Sequence, residues 1–337
     1  MPLTNKCVRF VRPAVGPVDE SHFELTIEPV SSAGVGEIVV RNVYLSLDPY
    51  QRRQMMPDVR YANPLNIGDV MVGRAIGKVV ESRDPQFAVG DWALGHFGWQ
   101  HYTRISAAKA EKIDLDGFSP STYLGALGSP GVTAWVGLRT IANIKAGETV
   151  LVSAATGAVG SVAGALARAT GCRVVGIAGG PMKRAHAIEA LGFDECVDYK
   201  SANFRDELAD ATQDGIDVDF ENVGGYVFDC VLERMNDFGR VALCGLVSQY
   251  NLLEPYGMRN VAEVLNRNVM LQGFRVTRFP GQRPAALREL KEVLRSGILL
   301  PAETIDDGLE QAPAAFVRLF QGANIGKSLV RLVDESR

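Results

Sequence analysis

The 337-residue sequence is poor in the two residue types that most often hold zinc, with four histidines and five cysteines. Cys7, Cys172, Cys196, Cys230 and Cys244 stand singly, with no Cys-x-x-Cys clip and no even set that reads as a disulfide framework. A structural zinc site needs several such ligands in close spacing, so none is expected, and the lone thiols suit a reducing, cytoplasmic compartment. His96 lies in Gly95-His-Phe-Gly98 without a following Glu, and His22, His101 and His186 lack a paired ligand pattern. Catalytic zinc is not expected either.

An excess of positive charge is also missing. Lys plus Arg is 35 and Asp plus Glu is 39, a formal net charge of −4, which argues against a broad phosphate-binding surface and against nucleic acid as a partner. The opening Met-Pro-Leu-Thr-Asn-Lys-Cys-Val-Arg lacks the apolar stretch of about 7 to 15 residues that a secretory signal needs, so no targeting segment is expected. The uncharged run Thr149 to Ala167 has the 19 residues of a membrane span. Ser153, Thr156, Gly157, Gly160, Ser161 and Gly164 interrupt it, so it reads as strand, turn and buried helix, and no membrane association is expected.

What is present is an ordinary globular composition, 47% hydrophobic and 22% charged, long enough for two domains at roughly 150 residues each. From about residue 5 to 120, short β-rich runs (Glu37 to Asn42, Ile76 to Val80, Trp92 to Leu94, His101 to Ile105) are separated by Gly, Pro and Asp, which marks a mainly β module. From about residue 125 the period changes, and apolar strands alternate with helical segments as in a doubly wound parallel sheet. The strands are Thr149 to Ser153, Arg173 to Ile177, Glu195 to Asp198, Val218 to Glu221, Gly239 to Cys244 and Val269 to Gly273. Helices are expected at Gly160 to Thr170, Met182 to Leu191 and Val227 to Met235. After a helix at about Pro284 to Ser296, the tail reads as strand Glu303 to Ile305, helix Ala312 to Phe320 and strand Ser328 to Leu332, and is expected to return to the first module.

The most informative stretch runs Val150 to Gly160. Ala155-x-Gly157-x-x-Gly160 has the spacing of a dinucleotide-binding turn with its first glycine replaced. Gly157 would admit a pyrophosphate close to the backbone, Gly160 would let helix and strand pack closely, and the helix start would offer unpaired N–H donors to the anion. A glycine-rich turn in another α/β protein is the competing reading. About twenty residues beyond Gly157, an NAD site would usually present an acid to the ribose hydroxyls. Here the stretch is Ile177-Ala-Gly-Gly-Pro-Met-Lys-Arg184, whose missing acid and basic pair favour a 2′-phosphate and hence NADPH. Two cations in the first turn of a helix oppose its dipole unless an anion offsets them, although a solvated basic pair would read the same way.

With these residues on view, the sequence resembles the zinc-independent branch of the medium-chain dehydrogenase/reductase superfamily, in the group of leukotriene B4 dehydrogenase, prostaglandin reductase and alkenal double-bond reductase, with the bacterial curcumin-reductase-like members nearest in character. The resemblance rests on Leu45-Ser-Leu-Asp-Pro-Tyr-Gln-Arg52, Gly125-Ala-Leu-Gly-Ser-Pro-Gly-Val-Thr-Ala-Trp135, Ala154-Ala-Thr-Gly-Ala-Val-Gly-Ser161, Glu221-Asn-Val-Gly-Gly225, Cys244-Gly-Leu-Val-Ser-Gln-Tyr-Asn251 and Gly322-Ala-Asn-Ile-Gly-Lys327. It implies an α/β fold, with a GroES-like, mainly β catalytic domain over 1–125 and 299–337 and a six-stranded Rossmann domain over 126–298. It implies a homodimer joined through edge strands of the nucleotide domains.

The chemistry implied is NADPH-dependent reduction of a carbon–carbon double bond conjugated to a carbonyl, with the α,β-unsaturated ketone or aldehyde as small-molecule partner. By the same resemblance, Tyr250 and Tyr50 lie near the carbonyl oxygen. The cofactor is contacted by Gly157, Ala158, Val159 and Gly160, by Lys183 and Tyr199 at the 2′-phosphate, and by Asn222. Further contacts come from Cys244, Gly245, Leu246, Val247, Ser248, Gln249 and Tyr250, from Phe274, Arg275 and Val276 through backbone groups, and from Asn324. Some have plainer readings: Tyr50 packed beside Pro49, Tyr250 as a pure cofactor contact, Cys244 as a small buried side chain, Asn324 as a turn former before Gly326. Gln51-Arg52-Arg53 and Arg275 depart from the commonest family form. A quinone reductase of the same superfamily and a nucleotide-binding regulator without turnover are the alternative functions.

Overall fold

A computed structural model describes residues 3–56 and 64–333. Their contacts divide the chain into two units, one built from residues up to Leu124 together with those from Glu303 onward, the other running Gly125–Ala302. The class is mixed α/β, with a mainly β unit and a parallel, Rossmann-type sheet.

In the second unit six parallel strands lie side by side in the order Glu195–Asp198, Arg173–Ala178, Thr149–Ser153, Ile216–Glu221, Met235–Leu243, Met270–Gly273. In chain order this is 3-2-1-4-5-6. Thr149–Ser153 is buried at every position, as a central strand covered on both faces must be, and so reads as a continuous apolar run. The chain reverses its direction of travel across the sheet between Thr149–Ser153 and Ile216–Glu221, and ligands of such sheets bind beyond the carboxyl ends at that point. The uncharged 19-residue run is strand Thr149–Ser153, a turn, and the buried start of helix Gly160–Thr170. Among the described residues no helix is long and apolar enough to cross a membrane.

In this unit the largest departures from the expected boundaries lie on either side of Leu232. The helix expected at Val227 to Met235 is Gly225–Leu232, and the strand expected from Gly239 begins at Met235. Val227 to Leu232 and Met235 are similarly apolar, and no proline or capping residue divides them. The division comes instead from parallel pairing of Met235 with Ile216, followed by a register shift before Val218.

The first unit holds a seven-stranded sheet and a separate antiparallel pair, Thr4–Phe10 with Phe23–Pro29. Strand Lys327–Arg331 pairs with Glu37–Ser46 antiparallel and with Glu303–Asp307 parallel, which ties the chain's tail into this sheet. Its mainly aliphatic core includes an aromatic cluster: Phe23 stacks on Trp99 at 5.4 Å between ring centroids, and Phe316 of helix Ala312–Phe320 meets Trp99 edge-on at 5.4 Å.

Candidate functional site

The glycine turn forms at the carboxyl end of Thr149–Ser153. Gly157 N–H bonds back to Ala154 C=O at 2.9 Å, and Ser161 N–H to Gly157 C=O at 3.0 Å, which starts the helix. At Gly160 a Cβ would lie 2.3 Å from Ala154 O, so only glycine permits this approach of helix and strand. At Gly157 a Cβ would meet only Ala154 O, at 3.1 Å. The space over Gly157 is otherwise open. Ala158 and Val159 are half-buried, and among the described residues no side chain caps the helix start at Val159. Its first N–H groups therefore suit a diphosphate, and the turn fits the dinucleotide that the sequence implies.

At the end of the neighbouring strand Arg173–Ala178, Gly180 N–H is held by Asp198 Oδ1 at 2.7 Å and the helix Pro181–Glu189 begins. Lys183 is half-buried in its first turn, and burial pushes its ammonium below the usual lysine range, with Lys200 adding to the effect. Tyr199 is exposed, its N–H on Ala178 C=O at 3.1 Å, and its ring lies against Gly179, where a Cβ would come within 2.7 Å of Cε1. Lys183 and Tyr199 thus flank one strand end. Arg184, the other half of the basic pair, is exposed, and its charge acts on the Cys196 thiol.

At the carboxyl end of Ile216–Glu221 a side-chain network ties the loops together. Ser153 Oγ donates to Glu221 Oε1 at 3.0 Å and accepts from Asn222 N–H at 2.7 Å. Glu221 Oε1 also accepts the N–H groups of Val223 and of Gly224, the latter at 2.7 Å. Asn222 Nδ2 donates to Ser153 C=O at 2.7 Å, so this side chain joins the two turns. Burial raises the Glu221 carboxyl to about 7 against the pull of those donors. Ser153 and Glu221 are missing from the sequence-based site: both are fully buried, and the sequence marks them only as the ends of two expected strands and, for Glu221, as the first letter of Glu221-Asn-Val-Gly-Gly225.

Cys244 to Tyr250 follow the fifth strand. Glu221 C=O accepts from Cys244 N–H at 2.8 Å and Gly245 N–H at 3.1 Å, Val247 N–H reaches Asn222 C=O at 3.1 Å, and Ser248 Oγ reaches Val223 C=O at 2.6 Å. This loop therefore lies on the Asn222 turn. Burial, with Glu221 nearby, pushes the Cys244 thiol up to about 12, so it stays protonated at neutral pH and is a poor nucleophile. Gln249 precedes half-buried Tyr250, whose phenol oxygen lies 3.5 Å from Leu246 N. After the last strand, Phe274 N–H bonds Leu243 C=O at 3.2 Å while its ring meets Phe220 edge-on at 6.3 Å, and Arg275 and Val276 lead a short turn.

Tyr50 and Asn324 belong to the first unit. Tyr50 opens the helix Tyr50–Gln54, and the segment before it is pinned by buried groups: Gln51 Nε2 donates to Ser46 C=O at 3.0 Å, and Lys327 Nζ donates to Leu47 C=O at 2.6 Å and Asp48 Oδ1 at 3.1 Å. Arg52, 1% exposed, donates to Ala14 C=O at 3.1 Å and Gly16 C=O at 2.6 Å. The departures Gln51 and Arg52 are thus internal struts. Asn324 Nδ2 donates to Gly326 C=O at 2.8 Å and so shapes the turn before Lys327. Among the described residues no three His, Cys, Asp or Glu side chains gather as a metal site would require.

The chain is similar to known proteins over nearly its whole length. The N-terminal domain of oxidoreductase family matches residues 6–113, and the zinc-binding dehydrogenase family matches residues 158–292. An NADPH-dependent curcumin reductase from Escherichia coli is 44% identical over 330 residues, covering 96% of this chain and 95% of its own. A 2-alkenal reductase (NADP(+)-dependent) from Nicotiana tabacum is 38% identical over 99% of both chains. The crystal structure of CurA from Vibrio vulnificus in complex with NADPH superposes with a TM-score of 0.93 at 39% identity, covering 98% of this chain and 99% of that one.

Proposed function

The chain belongs to the zinc-independent medium-chain dehydrogenase/reductase family, in the group of the alkenal and prostaglandin reductases, and from that premise we propose that it reduces the double bond of α,β-unsaturated ketones and aldehydes. It is an NADP-dependent oxidoreductase acting on carbon–carbon double bonds. The observation that carries the finer reading is the loop Cys244–Tyr250, hung on Glu221 C=O and the Asn222 turn, which holds the Tyr250 phenol at the carboxyl edge of the sheet where the glycine turn also lies.

When bound, NADPH supplies hydride to the β-carbon of the conjugated carbonyl. Negative charge then develops on the carbonyl oxygen, and a neutral phenol, with a reference pKa of about 10, is suited to donate a hydrogen bond there. Tyr250 and Tyr50 take that role in this proposal. Gly157 to Gly160 hold the pyrophosphate, Lys183 and Tyr199 the 2′-phosphate, Asn222 and Cys244 to Tyr250 make further contacts to the cofactor, and the backbone groups of Phe274 to Val276 meet the carboxamide, with Asn324 contributing from the tail. The Gly125–Ala302 unit is then the nucleotide domain and the other the catalytic domain. The edge strand Met270–Gly273 exposes Met270, with Leu265 81% exposed just before it, which supports a homodimer joined along that edge.

Steady-state rates with NADPH on matched enones, enals and quinones test the reading. Conversion of enones to saturated ketones is expected. Turnover of quinones alone, with no enone reduced, overturns it.

A further inference from the structure

We propose that Lys200, and not Arg184, is the second cation of the 2′-phosphate pocket, and so a specificity-determining residue for NADPH over NADH. The inference rests on reading the strand end Ala178–Gly180 as the adenosine-ribose site and Lys183 as its first cation.

Lys200 is seventeen positions from Lys183, yet the fold brings the two together. A Cβ on Gly179 would stand 2.7 Å from Tyr199 Cε1 and 3.1 Å from Lys200 Cε, so the Lys200 side chain folds back over the strand end instead of extending along its own loop. Its ammonium lies 5.9 Å from the Tyr199 ring centroid, within reach of a cation–π contact that holds it there. The charge of Lys200 is felt at Lys183, where it adds to burial in disfavouring the ammonium. Neither lysine has an ion pair among the described residues. Asp198, two residues before Lys200, directs Oδ1 to backbone, accepting from Gly180 N–H at 2.7 Å and Lys200 N–H at 3.0 Å. Two like charges are therefore held on one strand end with no carboxylate partner. A dianionic phosphate resolves that repulsion, and one cation plus a tyrosine hydroxyl would leave half its charge unmatched.

Arg184 is arranged differently. Its N–H closes the first helical bond, to Gly180 C=O at 3.1 Å, its side chain is exposed, and its charge offsets the burial of Cys196 on the outer strand. One residue further along a helix points about 100° around the axis, away from Lys183.

The test is calorimetric binding of adenosine 2′,5′-bisphosphate and of 5′-AMP to the full-length protein and its Lys183→Gln, Lys200→Gln and Arg184→Gln variants, with thermal midpoints as a check on folding. Lys200→Gln is expected to weaken the bisphosphate about tenfold or more while leaving 5′-AMP unchanged, and to flatten the salt dependence of bisphosphate binding. Arg184→Gln should leave both ligands as in wild type. If Lys183→Gln loses the bisphosphate and Lys200→Gln does not, or if Lys200→Gln weakens both ligands alike, the assignment of Lys200 falls and the pocket stands. If wild type binds the bisphosphate no more tightly than 5′-AMP, the pocket reading itself falls.

Discussion

Ser153 and Glu221 end the two central, adjacent strands of the parallel sheet, and the 3.0 Å bond from Ser153 Oγ to Glu221 Oε1 joins the glycine turn to the turn over Asn222. The same carboxylate oxygen accepts from Val223 and Gly224, so one buried side chain organises both loops assigned to the cofactor. Glu221→Ala leaves three donors, those of Ser153 and Gly224 buried and that of Val223 partly so, without this acceptor, at about 1–3 kcal/mol for each buried one before relaxation. The expected result is a stability loss of about 2–5 kcal/mol together with weaker NADPH binding, read by denaturant unfolding and by fluorescence titration. Wild-type affinity in a folded Glu221→Ala protein would show that the loops hold their shape without the clamp.

Two positions earlier on the same strand face, Asp219 has both carboxylate oxygens buried and, among the described residues, without a hydrogen-bond partner. Its register partners Leu151 and Val241 belong to an apolar cluster with Val175 and Val231, so the carboxyl is sunk in hydrocarbon. Burial and Glu221 push it well above the usual range, while Glu221 rises to about 7. Both groups hold protons in the folded state at pH values where the unfolded chain has lost them. Stability should therefore decline as pH rises from about 4, the unfolded carboxylate value, through 7 and beyond. Thermal midpoints across this range should be higher at the acidic end, and Asp219→Leu should raise the midpoint most at alkaline pH and flatten the profile. A level wild-type profile, or a lower midpoint for Asp219→Leu at pH 8 with Asp219→Asn unchanged, would refute the buried-proton account.

Much of the parallel sheet was legible because burial on both faces forces an unbroken apolar sequence, as in Thr149–Ser153, and because Gly160, three positions after Gly157, marks an approach of helix to strand that other residues cannot make. The pair Thr4–Phe10 and Phe23–Pro29 was not legible, since Phe23–Pro29 exposes or half-exposes every residue and so lacks an apolar face. Charged residues carry no mark of burial in sequence, so the internal roles of Arg52, Lys327 and Asp219 emerge only once the chain is folded. The same holds for Lys200: its distance along the chain hides a proximity that parallel pairing of Glu195–Asp198 with Arg173–Ala178 creates.

For the reaction itself, Tyr250→Phe should keep the fold and cofactor affinity but lower turnover on enones by roughly 10 to 1000-fold, the usual range for losing one donor to a developing oxyanion. Tyr50→Phe should act mainly on KM. Rates and KM values unchanged in both variants would move the oxyanion donor to a cofactor hydroxyl or to water.

The loop that carries Tyr50 depends on Lys327, which is 2% exposed and donates to Leu47 C=O at 2.6 Å, Ser328 C=O at 2.9 Å and Asp48 Oδ1 at 3.1 Å. Burial lowers its ammonium and Asp48 opposes that shift. Removing one partner of such a pair leaves the other charge stranded, which costs about 3–5 kcal/mol in a dry site and less here because Asp48 retains some contact with water. Removing both leaves no stranded charge. Lys327→Met should therefore destabilise the protein more than Lys327→Met combined with Asp48→Asn, and a double-mutant cycle by denaturant unfolding measures the difference as a coupling energy. Strictly additive losses would mean that Lys327 acts only through the two carbonyls, and that Asp48 is held in place by Ser46 and Gln51 alone.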